Sequence, residues 1–474
     1  MATHFSRIRF DFLVGALLVL TGVSVWGQNL RYDNHREVAI PEYATIQLGP
    51  FHSSWAFLLR AGYRYVETTG AGTDFLFAGS RGRVKKDGAE YPVIVGLDMR
   101  NYLVIGPHTD LDVSLGLRYE YYPLDTQESE FRVFLPGEGI NANLSMELSP
   151  VPYLRMRLWD AFGWQMDYLD TRGLDDRYGG QRFENISNTI GLDGDLLLAE
   201  RQNLGFGASR GDRWALDDEW EHQSRVTHSG YLLYEYELAE YMILGFRTGL
   251  SHIDYPESER ADTMINDYRA DLTTLLTERT TVNIFGGYAM GTVSGISNSM
   301  EEVNTTLYGG SLQTRLSPDL QHGLSYAHGL RGGYTSSLEE FDLLRYDIRL
   351  TGEFSRWNAY TGWQTRDPSS MNVSGYTDWT SGLLCEIPIL PAVSLVGSIR
   401  YSERSNDDKA VALGDPELSG DYDTWAYKIG SVVRLADELD LSASAEHIER
   451  DGDNDELDYT RDIVSVLLTY RHEL

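Results

Sequence analysis

The sequence contains one cysteine, Cys385, among its 474 residues. A single thiol excludes an internal disulfide and supplies no thiolate metal cluster. Lysine is also scarce, because Lys85, Lys86, Lys409 and Lys428 are the only lysines and the other basic residues are arginines. The chain therefore carries its positive charge almost entirely on guanidinium groups.

Long apolar runs are absent after residue 27. No later segment approaches the roughly 20 apolar residues that a transmembrane helix needs. Inside a bilayer the backbone polar groups must be satisfied within the protein, which only helices and closed barrels achieve. If the mature chain lies in a membrane, we therefore expect it to be a β-barrel.

Residues 1–27 have the pattern of a secretory signal peptide. His4, Arg7 and Arg9 form a basic start, and the apolar run at 12–25 is too short for a comfortable membrane span. Small or modest residues follow at 25–27, where a signal peptidase would cleave. We predict a cleaved signal peptide at 1–27, with an uncleaved N-terminal anchor as the alternative.

Residues 28–50 form a polar lead-in, which we assign to the periplasm. The segment is too small to be the folded plug of an energised outer-membrane transporter, and no acidic-hydrophobic energy-coupling box stands out in it. We assign the remaining residues, 51–474, to one barrel domain.

The formal net charge is −31, a strongly acidic balance. Such a chain repels the phosphates of nucleic acids, so nucleic acid is excluded as a partner.

Residues 111–122 show the pattern that recurs along the chain. Apolar residues, from Leu111 to Tyr121, occupy the odd positions, and charged or tiny residues such as Asp112 and Arg118 occupy the even ones. Successive side chains of a strand point to opposite faces, so this alternation predicts a strand with one apolar and one polar face.

Two kinds of connection separate these strands. Short turns usually contain an aliphatic residue, a small residue and then a polar or proline turn. The longer acidic loops are predicted at 70–90, 123–140, 169–185, 212–229, 256–266, 402–421 and 451–458. Short turns at one end and long loops at the other are typical of outer-membrane barrels.

We therefore predict an all-β fold: a transmembrane antiparallel β-barrel of about 20 strands (about 18–22), with short periplasmic turns and long acidic extracellular loops. A soluble propeller is the rival fold, because the turn-to-turn spacing overlaps that of blade repeats. It is disfavoured because no blade motif recurs, and because a propeller strand packs both of its faces.

In a lipid barrel the apolar face must point outward, because an arginine at the bilayer midplane costs about 2–4 kcal/mol. The polar face then lines a wet lumen. The predicted pore-lining residues are Arg60, Arg64, Arg100, Arg118, Glu120, Arg345, Asp347, Arg349 and Glu353. Opposed basic and acidic rows would create a transverse field that selects solutes; the alternative is that the charges pair and brace the wall.

One loop and one acidic segment are further candidates. Loop 70–90 combines apolar and basic residues, so we expect it to constrict the lumen through Phe75, Phe77, Arg81 and Arg83. The segment 451–458 places carboxylates at alternate positions, and Asp451, Asp453 and Asp455 form a candidate Ca²⁺ site. The alternative for that segment is a solvated acidic hairpin, because it lacks the full EF-hand spacing.

The histidines and serines favour no catalytic site. His322 and His328 share a strand and a face, which allows metal binding but favours a place in the aromatic belt. No Gly-x-Ser-x-Gly motif or comparable nucleophile motif occurs. We therefore expect no enzymatic activity and no cofactor apart from the candidate Ca²⁺.

The segment Leu48-Gly49-Pro50-Phe51-His52, followed by the strand that ends Gly62-Tyr63-Arg64-Tyr65, resembles the opening of the β-barrel porin 2 family. The closing stretch 464–474 is similar to the C-terminal signal that barrel-assembly machinery reads. The resemblance implies an outer-membrane barrel of the porin type.

These observations predict a porin-like channel of the bacterial outer membrane for passive diffusion of small polar solutes. The alternative is a structural or binding barrel whose loops occlude the lumen and whose acidic loops bind cations. A third option, a channel for hydrophobic solutes, needs a lateral opening. Expected partners are outer-membrane lipids, lipopolysaccharide, the barrel-assembly machinery and, in a homo-oligomer, further copies of the chain.

Overall fold

The structure, a computed structural model, describes residues 46–69, 88–106, 109–121, 139–168, 182–216, 221, 224–256, 262–294, 300–332, 338–368, 375–406, 421–453 and 458–473. The predicted signal peptide and the constriction residues Phe75, Phe77, Arg81 and Arg83 lie outside these ranges. Among the described residues, no helix has the length and apolar character needed to cross a membrane.

The described elements are antiparallel β-strands joined in one sheet. In chain order they are β1 (Ile46–Leu48), β2 (Phe51–Thr69), β3 (Gly88–Glu90), β4 (Val93–Gly106), β5 (Thr109–Tyr121), β6 (Gly139–Val151), β7 (Leu154–Tyr168), β8 (Arg182–Ala199), β9 (Gln202–Ala215), β10 (Arg225–Ala239), β11 (Met242–Asp254), β12 (Asp262–Thr277), β13 (Thr280–Ser294), β14 (Met300–Arg315), β15 (Leu320–Arg331), β16 (Glu339–Thr351), β17 (Arg356–Pro368), β18 (Tyr376–Leu390), β19 (Val393–Asn406), β20 (Tyr422–Ala436), β21 (Leu439–Gly452) and β22 (Tyr459–Glu473).

The sheet closes because β2 pairs with β22, from Ala56 opposite Glu473 to Thr69 opposite Thr460. The result is a closed antiparallel barrel of 20 strands, as the sequence predicts. The short strands β1 and β3 are not counted among the 20 barrel strands. Strand β1 pairs with the start of β2, and β3 pairs with β2 beyond the point where the β2–β4 pairing ends. Strand β1 lies within the predicted lead-in 28–50, whose bounds stay a prediction.

Most short turns contain a β-bulge just before the turn. At these places the pairing register shifts by one residue, and the extra residues are Ile105, Leu198, Leu238, Leu276, Ile389 and Leu435. All of these side chains are exposed. A bulge adds an unpaired residue and increases the local twist. The aliphatic residue that precedes the small residue in the turn motif is therefore a bulge residue, and its side chain points outward.

The outer face of the barrel is apolar and aromatic. Exposed side chains alternate along the strands, for example Phe57 and Leu59 on β2 and Val464, Val466 and Leu468 on β22. This outward register is the one that the sequence alternation predicts. Since the side-chain period of a strand is two, the residues between these positions face the lumen.

Several strands extend further than predicted at the end that carries the long connections, called here the long-loop end. Strand β8 begins at Arg182, β9 continues to Ala215 and β12 begins at Asp262, all within segments that the sequence assigns to loops. At these strand ends polar and apolar residues no longer alternate, as at the consecutive Met264 and Ile265, although the backbone pairing continues.

Candidate functional site

The inward face of the wall is the candidate functional site. Of the predicted pore-lining residues, Arg60 and Arg64 lie on β2, Arg100 on β4, Arg118 on β5, and Arg345, Asp347 and Arg349 on β16, at positions that alternate with outward-facing apolar side chains. Glu120 belongs to β5, but its side chain is outside the described part.

Glu353 lies elsewhere than its spacing predicts. Strand β16 ends at Thr351, and β17 begins at Arg356. Glu353 is therefore exposed in the connecting turn, which Gly352 and Ser355 close with a backbone hydrogen bond of 2.8 Å.

The inward-facing charges are unevenly distributed around the barrel. On β15–β22 and β2 the described basic residues outnumber the acidic ones. The basic set is Arg60, Arg64, Arg331, Arg345, Arg349, Arg356, Arg366, Arg400, Arg404, Lys428, Arg434, Arg450, Arg461 and Arg471, and the acidic set is Glu339, Asp347, Asp378, Glu386, Asp440, Glu446 and Glu473. This half of the wall is called the basic half below.

On β4–β12 the balance is reversed. The acidic set there is Asp98, Asp110, Asp112, Glu147, Asp193, Asp195, Glu235, Glu237, Asp267 and Asp271, and the basic set is Arg100, Arg118, Arg155, Arg157, Arg213, Arg225, Arg247 and Arg269. A basic half that faces an acidic half produces a field across the lumen.

Many of the acidic groups on β4–β12 are paired with neighbouring strands. Arg118 contacts Asp98 at 2.6 Å, and Arg155 contacts Glu147 at 2.6 Å. Arg157 contacts Asp193 at 2.8 Å. Ion pairs therefore join neighbouring strands on β4–β12, and they also occur on the basic half, where basic residues remain in surplus.

Inward arginines repeatedly lie over an aromatic ring of an adjacent strand. The distances from the guanidinium carbon to the ring centre are 5.3 Å for Arg247 over Tyr231, 4.9 Å for Arg269 over Phe285, 5.0 Å for Arg331 over Phe341, 5.9 Å for Arg345 over Tyr360, 5.0 Å for Arg366 over Tyr376, 4.4 Å for Arg404 over Tyr376 and 4.2 Å for Arg450 over Tyr422. Stacking fixes the plane of the guanidinium, which leaves its N–H edge to bind carboxylates.

The most buried charges lie at the long-loop end of the basic half. Arg404 donates to Asp378 through Nε at 2.7 Å and through Nη2 at 3.2 Å. Their side chains are only 7% and 6% exposed. Arg404 also lies over the rings of Tyr376 and Tyr422, so its contacts link β18, β19 and β20.

Leu330, Gly332 and Leu338, at the long-loop end of the β15–β16 hairpin, contact inward-facing residues of β11–β13 and are called the inward tip below. Leu338 is fully buried against Ile265 on β12 and Val293 on β13, and Leu330 packs on the same cluster. A Cβ placed on Gly332 would come within 2.5 Å of the Ile253 Cδ1 on β11. These contacts reach strands that are not neighbours of β15 in the sheet, so the inward tip lies over the inward face of β11–β13 at the long-loop end.

The inward tip also changes the wall beside it. Strand β14 pairs with β15 only from Tyr308 opposite His328 to Arg315 opposite Gln321. Towards the long-loop end, side chains bridge the two strands instead: Thr305 contacts His328 Nε2 at 3.2 Å and hydrogen-bonds to Glu340 on β16.

His328 lies on the outward side of this region. It stacks on Tyr308 with ring centres 4.7 Å apart, and its Nδ1 is 3.0 Å from Asp342. His322 packs near Tyr346, with ring centres 6.1 Å apart. Within the described ranges no group of three or more His, Cys, Asp or Glu residues has a geometry that could hold a metal.

Part of the candidate Ca²⁺ segment is described. Asp451 and Asp453 are exposed, and the backbone N–H of Asp453 donates to the Asp421 carbonyl at 2.9 Å. Asp455 lies outside the described residues. The Ca²⁺ site stays a prediction.

Sequence reasoning missed the arginine–ring pairs and the inward tip. Each arginine–ring pair joins different strands, so its members are far apart in sequence and only the pairing register brings them together. The alternation placed the arginines on the inward face, but nothing in it identified Phe341 or Tyr376 as their partners.

No protein-family model matches the chain, so the resemblance to the β-barrel porin 2 family stays a prediction. No curated protein matches the chain either. Among solved structures, the chain is similar to the FrpB iron transporter from Neisseria meningitidis. The F3-3 variant has a TM-score of 0.51 at 10% identity, with 88% of this chain and 81% of that chain covered.

The F5-1 variant of the same transporter has a TM-score of 0.50 at 9% identity, with 88% of this chain and 82% of that chain covered. At such low identity the similarity concerns the fold alone. The chain has the fold of the β-barrels found in bacterial outer membranes.

Proposed function

We propose that this chain is an outer-membrane channel through which small polar solutes diffuse passively, and that its lumen favours anions. The observation that carries the proposal is the surplus of arginine on the inward face of β15–β22 and β2. Solutes that pass this wall meet guanidinium groups whose planes are fixed by aromatic rings.

The physical reason is electrostatic. A surplus of one charge sign in a low-dielectric channel raises the local concentration of the opposite ion. The chain as a whole is acidic, so this preference comes from the placement of charge and not from the net charge of −31.

The test is the current through single channels of the refolded mature protein in a planar bilayer, with a KCl gradient across it. We expect ohmic steps and a reversal potential of the sign that indicates chloride selectivity. The double variant Arg345→Gln/Arg349→Gln should move the reversal potential toward potassium. The matched control is Arg210→Gln, which removes an arginine from the outer face, where Arg210 pairs with Asp212 at 2.9 Å.

Potassium selectivity in the wild type, or an equal effect of the Arg210 and Arg345/Arg349 variants, would contradict the anion preference. Absence of current from a folded barrel would contradict the channel itself.

The second candidate is a structural or binding barrel with an occluded lumen, and the inward tip of β15–β16 is the observation that favours it. Leu338 crosses to β12 and β13 and is fully buried there. A barrel that stays silent in the wild type but conducts after Leu338→Ala would support this candidate.

The apolar outer face supports placement in the outer membrane, in contact with lipids and lipopolysaccharide. Insertion there requires the barrel-assembly machinery, and we include a homo-oligomer among the proposed assemblies. Fractionation of cells on a density gradient, with the inner membrane as control, tests the location.

A further inference from the structure

The strongest unassigned feature is Trp159, whose indole lies on the inward face of β7. Its chain neighbour Leu158 is exposed on the outward face. The Trp159 Nε1 donates to Asp193 of β8 at 2.8 Å, and Asp193 is one of the inward carboxylates. Successive side chains of a strand alternate between faces, so both observations place the indole toward the lumen and not in the aromatic belt that faces lipid.

A glycine of the next strand gives the indole its place on the wall. Gly191 pairs with Trp159 across β7 and β8. A Cβ placed on Gly191 would come within 2.5 Å of both Cε2 and Cζ2 of Trp159. One face of the indole therefore lies against the backbone at Gly191, where a side chain would displace it. The hydrogen bond from Nε1 to Asp193 fixes the ring within its plane.

The other face of the indole is not covered by a cation, unlike that of a comparable ring on β13. Phe285 lies against Gly309 in a similar way, and the guanidinium carbon of Arg269 is 4.9 Å from the centre of its ring. No cation of the described residues lies over Trp159, and the residue is half-buried. The accessible part of the indole therefore faces the lumen.

A charged pair lies beside the indole and is accessible from the lumen. The Arg157 Nη2 donates to the Asp193 Oδ2 at 2.8 Å, and the Tyr231 hydroxyl donates to the Asp193 Oδ1 at 3.4 Å. The side chains of Arg157 and Asp193 are 45% and 29% exposed, so a solute in the lumen can reach both. Among the described residues Arg157 donates only through Nη2, which leaves its other N–H groups for a ligand.

These groups suit a neutral sugar. An anion is attracted by Arg157 and repelled by Asp193, and a cation the reverse, so the pair favours neither sign. A pyranose has an apolar C–H face that can cover the open face of the indole, and hydroxyls at its rim that donate and accept hydrogen bonds. Asp193 accepts and Arg157 donates beside the same ring, which matches those hydroxyls. A flat aromatic solute would use the indole but not the pair.

We propose that Trp159, Arg157 and Asp193 form a sugar-binding subsite on the lumen wall. The inference rests on the proposed function, because a channel brings the sugar to this site, and it names neutral sugars as a class of solute. Gly191 is a positioning residue, since it leaves the room that the indole needs. The subsite acts on uncharged solutes, whereas the arginine surplus of the basic half acts on ions.

The experiment adds maltose to both sides of a bilayer that contains single channels of the mature protein in KCl. Sorbitol at the same weight per volume is the comparison solute, because it has hydroxyls but no ring with an apolar face. We expect maltose to lower the conductance to a saturable extent, beyond the effect of sorbitol. Equal effects of the two solutes would overturn the proposal.

Trp159→Leu should raise the half-saturating maltose concentration about tenfold, because the sugar loses the flat apolar surface that covers its C–H face. Trp159→Phe, which keeps a ring, should fall between the two, and Gly191→Ala should act in the same direction because it displaces the indole. Phe285→Leu is the matched control, since it removes an inward ring that Arg269 already covers. It should leave the maltose effect unchanged, and equal losses in the Trp159 and Phe285 variants would overturn the proposal.

Calorimetric titration of maltose into the folded protein in detergent separates this proposal from the proposed function. Binding that depends on Trp159 in a barrel that passes no current would uphold the subsite and reject the channel. Current without any maltose effect, by either measurement, would uphold the channel and reject the subsite. Binding of benzamide, a neutral aromatic amide, as tight as that of maltose would overturn the assignment to sugars.

Discussion

Replacing Asp378 with asparagine should destabilise the barrel by roughly 3–5 kcal/mol, the cost of leaving one member of a buried ion pair without its partner. Asp378 accepts two hydrogen bonds from Arg404, at 2.7 and 3.2 Å. The rings of Tyr376 and Tyr422 lie against the same guanidinium. Arg404 therefore cannot turn to solvent when the carboxylate is lost, and its charge stays buried.

Two comparison variants make the prediction specific. Glu386→Gln, on the same strand, removes a carboxylate that is 3.6 Å from Arg356 in a pair that is 48% and 35% exposed. An exposed pair of this kind contributes about 1 kcal/mol or less. The double variant Asp378→Leu/Arg404→Met removes both buried charges and should return within about 1 kcal/mol of the wild type.

The assay is urea unfolding of the protein from phospholipid vesicles, followed by tryptophan fluorescence, with the free energy obtained by linear extrapolation. The reasoning is refuted if Asp378→Asn loses no more stability than Glu386→Gln. It is also refuted if the double variant is as unstable as the single one, because the loss would then not come from the unpaired charge.

The remaining predictions concern packing, lipid exposure and pH. Gly291→Val should destabilise the barrel by about 1–3 kcal/mol and enlarge single-channel conductance, because a Cβ there would lie 2.6 Å from the Leu338 Cδ1 and displace the inward tip; unchanged unfolding and conductance would argue against the tip. Ile429→Arg, on the lipid face, should cost about 2–4 kcal/mol in vesicles near the bilayer midplane, and a loss no larger than that of Ile429→Ala would contradict the outward assignment. A hydrogen bond from His472 at 2.6 Å lowers the pKa of the exposed Glu438 below its ordinary 4.5. That contribution is full above pH 4.5 and is lost as the pH falls through the lowered value, so the stability of Glu438→Gln, measured from pH 6 to 3, should depend less on pH than that of the wild type.

At the long-loop end of the barrel, the strand ends could not be predicted from the sequence. Arg182 and Asp262 begin strands in segments that read as loops, because above the lipid neither face needs to be apolar and the alternation disappears. Glu353 was placed on the inward face by counting past the end of β16, and only the turn at 352–355 showed that the strand had ended.

The side chains that contact the inward arginines could not be predicted from the sequence either. Asp378 and Arg404 are 26 residues apart, and Leu338 meets Gly291 from a hairpin that lies two strands away. The alternation of period two predicts which face of the sheet each side chain occupies. It does not predict which residues are neighbours on adjacent strands, because that depends on the register of each strand pairing.

What the sequence determined by itself is the barrel: alternation, short turns with an aliphatic residue before them, and the absence of long apolar runs leave a closed β-sheet in lipid as the consistent solution. Only the tertiary structure decided how the inward-facing side chains are arranged in the lumen. Closure at β2 and β22 sets which charges surround the same space, rings of neighbouring strands fix the guanidinium planes, and the β15–β16 tip turns inward because Gly291 leaves room for its leucines.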